Sequence, residues 1–135
     1  MRVAFGTDEV TPVTDELKSH LQMLGHEVVV LADGLRWAEV GRAVGEAVSS
    51  GEADTGVVSC FTGTGVSMAA NKVSGVRAAL CVDAETARGA RRWNDANVLA
   101  LSLRITTADV GREIVDAFLK TRPDETEADQ IALLP

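Results

Sequence analysis

Short apolar runs rich in β-branched residues alternate with longer amphipathic segments along the whole chain, and this change of period constrains the fold more than any other feature. Strands are expected at Val3–Gly6, Glu27–Leu31, Gly56–Cys60, Arg77–Val82 and Asn97–Leu101. Each is almost continuously apolar, as strands covered on both faces must be. Helices are expected near Thr14–Leu24, Leu35–Ser50, Gly65–Val73, Ala84–Trp93 and Thr107–Lys120. Leu17, Leu21 and Leu24 mark the buried face of the first, and Gly25 and Gly51 stop the first two. Strand and helix in strict alternation predict an α/β, Rossmann-like fold of three layers, with a five-stranded parallel sheet between helices. A flavodoxin-like strand order, 2-1-3-4-5, is expected.

At 135 residues the chain suits a single domain, residues 1–135, without a disulfide or structural metal. Residues 121–135 form an acidic C-terminal arm whose "IALL" needs a surface to cover it, and a partner subunit would supply one. A formal net charge of −7 speaks against a nucleic-acid or anionic-membrane surface. No apolar run approaches the ~20 residues of a membrane helix. "MRVAFG" lacks a signal-peptide pattern, so a cytoplasmic location is expected. Two cysteines and two histidines, Cys60, Cys81, His20 and His26, show no metal-ligand spacing, and no metal or organic cofactor is expected.

Ligands of open parallel sheets sit beyond the carboxyl ends of the strands, near the place where strand order reverses. That rule selects "GTDEVTP" after the first strand, "CFTGTG" after the third, and the turn after the fourth strand together with the "RRWNDAN" segment. In "CFTGTGVSMAANK", residues 60–72, Gly63 and Gly65 let the backbone turn with its N–H groups outward. The helix that follows adds unpaired N–H groups and partial positive charge, which would hold an anion or a developing oxyanion. The same field favours a thiolate at Cys60, and a thiolate there is a base or nucleophile. Thr62 is placed to pass a proton between oxygens. The alternative is a plain strand-to-helix turn with Cys60 packed as a small hydrophobe. The loop lacks the Gly-Lys-Ser/Thr ending of a P-loop and the third glycine of a dinucleotide fingerprint.

"CFTGTGVSMAANK" resembles the "C-G-T-G-x-G-x-S-x-A-A-N-K" signature of the type B ribose-5-phosphate isomerases and the related galactose-6-phosphate isomerase subunits. "VAFGTDE", "GEADTGVV", "SGVRAALCVD" and "RRWNDANVLALSLR" are similar to further family segments, so the resemblance covers about residues 1–120. It implies aldose–ketose isomerisation through an enediolate, on a flavodoxin-like fold without cofactor. It also implies a homodimer or tetramer whose active sites draw on two subunits. Carried over by position, the resemblance makes Cys60 the base, with Thr62 beside the substrate hydroxyls and Gly63, Thr64, Gly65, Val66 and Ser67 forming the anion hole. Asp8 matches the aspartate of an Asp-His pair, Asn94 a hydroxyl contact, and Arg104 an arginine near the phosphate.

The chain departs from the family at substrate-handling positions. Glu9 stands where the first loop has histidine, Trp93 replaces the ring-opening histidine of "H-N-D-A-N", and Trp37 aligns with the tyrosine of "D-Y-P". The basic "R-H-x-x-R-V" that reaches the phosphate is absent from "ETEADQIALLP". Proton-transfer groups are thus kept while ring opening and phosphate grip are lost. An open-chain, weakly charged or unphosphorylated sugar-like substrate is expected, with Trp37 and Trp93 as an apolar wall. The alternatives are a non-catalytic or partner-dependent subunit of a hetero-oligomeric isomerase, and a metabolite-binding domain.

Overall fold

The computed structural model describes all 135 residues. Five strands, β1 (Arg2–Thr7), β2 (Glu27–Asp33), β3 (Thr55–Cys60), β4 (Ala78–Leu80) and β5 (Val98–Ser102), alternate with five main helices. These are α1 (Pro12–Met23), α2 (Trp37–Ser49), α3 (Thr64–Asn71), α4 (Ala84–Asn94) and α5 (Ala108–Lys120). The tail adds a 3-10 turn at Glu125–Glu127 and a short helix α6 (Ala128–Ile131). Side-chain caps from Thr11, Asp83 and Thr107 start α1, α4 and α5.

All strand pairs are parallel, and the sheet order is β2-β1-β3-β5-β4. The α/β class, the layers and the five parallel strands are as expected, but the last two strands exchange places relative to 2-1-3-4-5. The reason lies in their composition and length. "VLALS" of β5 is buried at all five positions and takes the inner lane, whereas β4 pairs over only three half-buried residues and forms an edge. The chain therefore skips a lane after β3 and returns through α4 to fill it. Right-handed crossovers then require α2 and α3 on one face and α1 and α4 on the other. The observed packing of α2 on α3, and of α5 on α1 and α4, agrees with this.

Each face has its own core. Phe5, Leu17, Leu21, Leu99, Ile114 and Phe118 fill one side, and Ala4, Val40, Val44, Val58, Val66 and Ala70 the other. Adjacent residues Ala4 and Phe5 serve opposite faces because strand side chains alternate. On the second side α2 approaches α3 at backbone distance: a Cβ on Gly41 would lie 2.5 Å from Ala69 Cβ and 2.7 Å from the Val66 oxygen. This contact fixes the start of α3, and with it the turn after β3. On the first side His20 Nε2 and Asp116 Oδ1, 2.7 Å apart, join α1 to α5.

The amino end of the sheet is tied by charge. Arg77, just before β4, donates to the Asp95 carbonyl at 2.7 Å and to Asp95 Oδ2 at 3.2 Å, while Arg91 donates to Asp95 Oδ1 at 3.0 Å. The "RRWNDAN" segment is thereby anchored at the amino ends of β4 and β5, not beside the turn after β4 as expected. A helix that follows a strand runs back along the sheet, so its last residues return to the starting end. The C-terminal arm crosses the same end: the Asp124 amide donates to the Arg92 carbonyl at 2.7 Å, and Leu134 and Pro135 line a cavity with Ala78 and Asn94. Leu133 and Leu134 remain exposed.

Candidate active site

The connections from β1 and β3 leave in opposite directions, so the switch point lies between the carboxyl ends of these two strands. Thr7 of β1 aligns with Ser59 of β3, and the Asp8 amide donates to the Ser59 carbonyl at 3.2 Å. Asp8, Glu9 and Cys60 are therefore brought to one place. Below them Ser59 Oγ donates to Thr7 Oγ1 at 2.8 Å, and Thr7 Oγ1 donates to the Glu9 carbonyl at 2.8 Å, which holds the first loop against β3.

Cys60 is the last residue of β3 and is 4% exposed. The Gly63 amide donates to its Sγ at 3.2 Å, so the turn presents a backbone donor to the sulfur. Gly63 has φ +81°, and a Cβ there would meet Leu80 Cδ1 at 2.5 Å and the Leu101 oxygen at 2.9 Å. Only glycine makes this turn without strain. The amides of Thr64, Gly65 and Val66, the first turn of α3, find no acceptor within the chain. They are unpaired donors at the turn, in the place where the glycine spacing suggested outward N–H groups. Val66 contributes through its amide alone, because its side chain is in the core. Ser67 follows on the same turn, its amide donating to the Gly63 carbonyl at 3.3 Å. Thr62 and Thr64 are exposed, and their hydroxyls are hydrogen-bonded to each other at 2.8 Å.

Asp8 carries the clearest electrostatic tension. One carboxylate oxygen, Oδ1, is buried without a hydrogen-bond partner. Burial, and next to it the Glu9 carboxylate, push the Asp8 carboxyl above its ordinary range, and two backbone amides only partly offset them. Such a group holds a proton more readily than a free aspartate.

Two further residues join this end of the sheet. The Arg104 amide donates to the Phe61 carbonyl at 2.8 Å, and its exposed guanidinium has no ion pair. Trp37 opens α2 and lies against Gly65, where a Cβ would come within 2.9 Å of the indole.

Trp93 and Asn94 are elsewhere. Val98 of β5 is level with Gly56 of β3, not with Cys60, and Asn94 precedes Val98 by four residues. At 3.3 Å per residue the strand between Gly56 and Cys60 separates the two ends by about 13 Å. Within one chain, then, Trp93 and Asn94 do not reach Cys60. Trp93 instead folds back on Gly89 of α4, whose added Cβ would lie 2.8 Å from the ring. None of the five principal cavities is lined by Cys60. No group of three or more His, Cys, Asp and Glu side chains converges on a common point. No helix is long and apolar enough to cross a membrane.

Comparison with known proteins shows the family. A profile described as Ribose/Galactose Isomerase matches residues 3–133. The chain belongs to the ribose/galactose isomerase family. It is 39% identical over 135 aligned residues to the galactose-6-phosphate isomerase subunit LacB of Clostridium acetobutylicum, covering 96% of this chain and 78% of that one. It is 37% identical to ribose-5-phosphate isomerase B of Escherichia coli, covering 87% and 83%. The solved structure of ribose-5-phosphate isomerase B from Clostridium thermocellum superposes with a TM-score of 0.91 at 37% identity, covering 98% and 93%.

Set against the family signature, a further departure lies outside the candidate residues. Phe61 stands where the signature has glycine, directly after Cys60, and its side chain is 61% exposed. Its backbone is fixed, since the Phe61 carbonyl also accepts from Ser102 Oγ at 3.1 Å. The signal was present in "CFTGTG", but apolar residues next to a strand read as core.

Proposed function

We propose that this family member interconverts an aldose and a ketose, with Cys60 moving the proton. The observation that carries the reading is the convergence of the Cys60 sulfur, the free amides of Thr64 to Val66 and the Asp8 carboxyl at one switch point. The thiolate takes the proton from the carbon next to the carbonyl, and the electron pair moves to the carbonyl oxygen. The free amides stabilise the resulting enediolate oxygen, as donors aimed at developing charge do. The thiol then returns the proton to the neighbouring carbon, which converts one sugar into the other with no net change in oxidation state. The Thr62–Thr64 hydroxyl pair is the short relay that exchanges protons between the two oxygens.

Asn94 completes the site from a second copy of the chain, because its own Cys60 lies at the opposite end of the sheet. The C-terminal arm comes with it, packed against that end of α4. The arm carries Asp124, Glu125, Glu127 and Asp129 and no basic residue after Arg122. A phosphate dianion would be repelled there, so the substrate is weakly charged or unphosphorylated. With Trp93 in place of a ring-opening histidine, an open-chain substrate is favoured. Arg104 is the remaining free cation beside the turn and contacts the substrate's polar end.

The test is a panel of aldose–ketose pairs, each offered with and without a terminal phosphate, in deuterated water. Deuterium appearing next to the carbonyl of unphosphorylated or short open-chain compounds, with sugar phosphates handled poorly, is the expected result. Efficient turnover of ribose 5-phosphate would overturn the substrate assignment, and no exchange across the panel would overturn the isomerase.

A further inference from the structure

An open groove of about 690 Å³ runs along the unpaired outer edge of β4. Leu80 and Asp83 line its upper end, Gly89 lies along it, and Trp93 and Asn94 line its lower end. Leu80 is also the residue packed against Gly63, so the groove begins at the catalytic turn. Trp93, one of its lining residues, is 53% exposed. The groove's charged lining residues, Asp83 and Glu85, are both acidic.

The same chain carries a matching projection. Phe61, 61% exposed, stands on the catalytic turn, and Met68, 63% exposed, follows on α3. The backbone of Arg104 is hydrogen-bonded to that of Phe61, and its exposed guanidinium, which has no ion pair, is opposite in sign to the groove's rim. A two-fold axis through the middle of the groove would exchange its ends. Each catalytic turn would then meet the other copy's Trp93, the self-complementary geometry of an isologous dimer.

We propose that Phe61 seats against Trp93 of the partner subunit, so that each catalytic site is walled on one side by an aromatic pair formed across the dimer. This deepens the proposed function, since the second copy it invokes is the one that supplies Asn94. The two substitutions at glycine and histidine positions of the signature become one device: aromatic surface replaces an ionisable group and the space beside it. Paired aromatics at a desolvated contact contribute beyond their buried area. The wall favours a narrow, apolar-sided site that admits an extended chain rather than a sugar ring.

Trp37 and Trp93 are the only tryptophans, so Trp37→Phe leaves Trp93 as a single reporter. In that background the expected result is a dimer by sedimentation, with Trp93 emission blue-shifted and shielded from acrylamide. Phe61→Ala should shift the emission to the red, raise the quenching and weaken the dimer, while Phe61→Leu restores part of each. Both replacements change an exposed side chain, so folding itself is not at stake. A monomer at high concentration, or a dimer whose Trp93 is fully quenchable or insensitive to Phe61→Ala, would overturn the proposal. These readouts need no turnover. Shielding that depends on Phe61, in a protein without proton exchange, would refute the isomerase and leave the docking standing; exchange with Trp93 unshielded would do the reverse.

Discussion

The Gly63 amide points at Cys60 Sγ from 3.2 Å, across a turn that only a left-handed residue at position 63 can make. One hydrogen bond thus couples the backbone geometry of the turn to the position of the sulfur.

Gly63→Ala should disturb both together. The added Cβ would meet Leu80 and the Leu101 backbone, and a non-glycine residue at φ +81° is itself strained. Left-handed strain and overpacking together should cost about 2–4 kcal/mol in urea unfolding. A variant as stable as the wild type would show that the turn is not as tight as described.

Asp8 sets a pH dependence whose sign follows from its environment. Its carboxyl is raised above its ordinary value of 3.8, chiefly by burial, so ionising it costs more in the folded than in the unfolded chain. That cost is absent below about pH 4 and present above the folded value. Asp8→Asn removes it and should make the protein more stable at pH 7, with the difference vanishing near pH 4. Denaturant titrations at the two pH values measure this, and a less stable variant at pH 7 would contradict it.

Cys81 is fully buried, and burial, helped by the Asp83 charge, pushes its thiol up to about 11. In a Cys60→Ser background, iodoacetamide at pH 8 should leave the folded protein unlabelled, with Cys81 reacting only after denaturation. Rapid labelling of the native variant would mean that the end of β4 opens readily.

The fold was legible where residue pattern and burial agree. "VAFG", "GVVSC" and "VLALS" are apolar because β1, β3 and β5 are covered on both faces, and their alternation with amphipathic helices leaves little freedom of class. Strand order was not legible in the same way. "RAALCV" reads like an inner strand, yet only Ala78–Leu80 pair, on one side, and nothing local states which lane a strand occupies. The turn after β3 was legible because glycines at alternate positions ahead of a helical pattern mark a strand-to-helix turn with its amides outward. The position of Asn94 was not, since a segment before a strand lies at the end of the sheet away from the loops that follow the strands. Phe61 escaped notice because its meaning depends on exposure, which the sequence does not display.

The central claim is that the Cys60 sulfur moves a proton, and solvent exchange in deuterated water measures this directly. Wild-type protein should introduce one deuterium next to the carbonyl of an accepted aldose or ketose. Cys60→Ser, which keeps the side chain's shape, should lower that rate by roughly 10²–10⁴-fold, the usual range for a positioned general base, with circular dichroism unchanged. Exchange persisting at the wild-type rate in a folded Cys60→Ser protein would contradict the account.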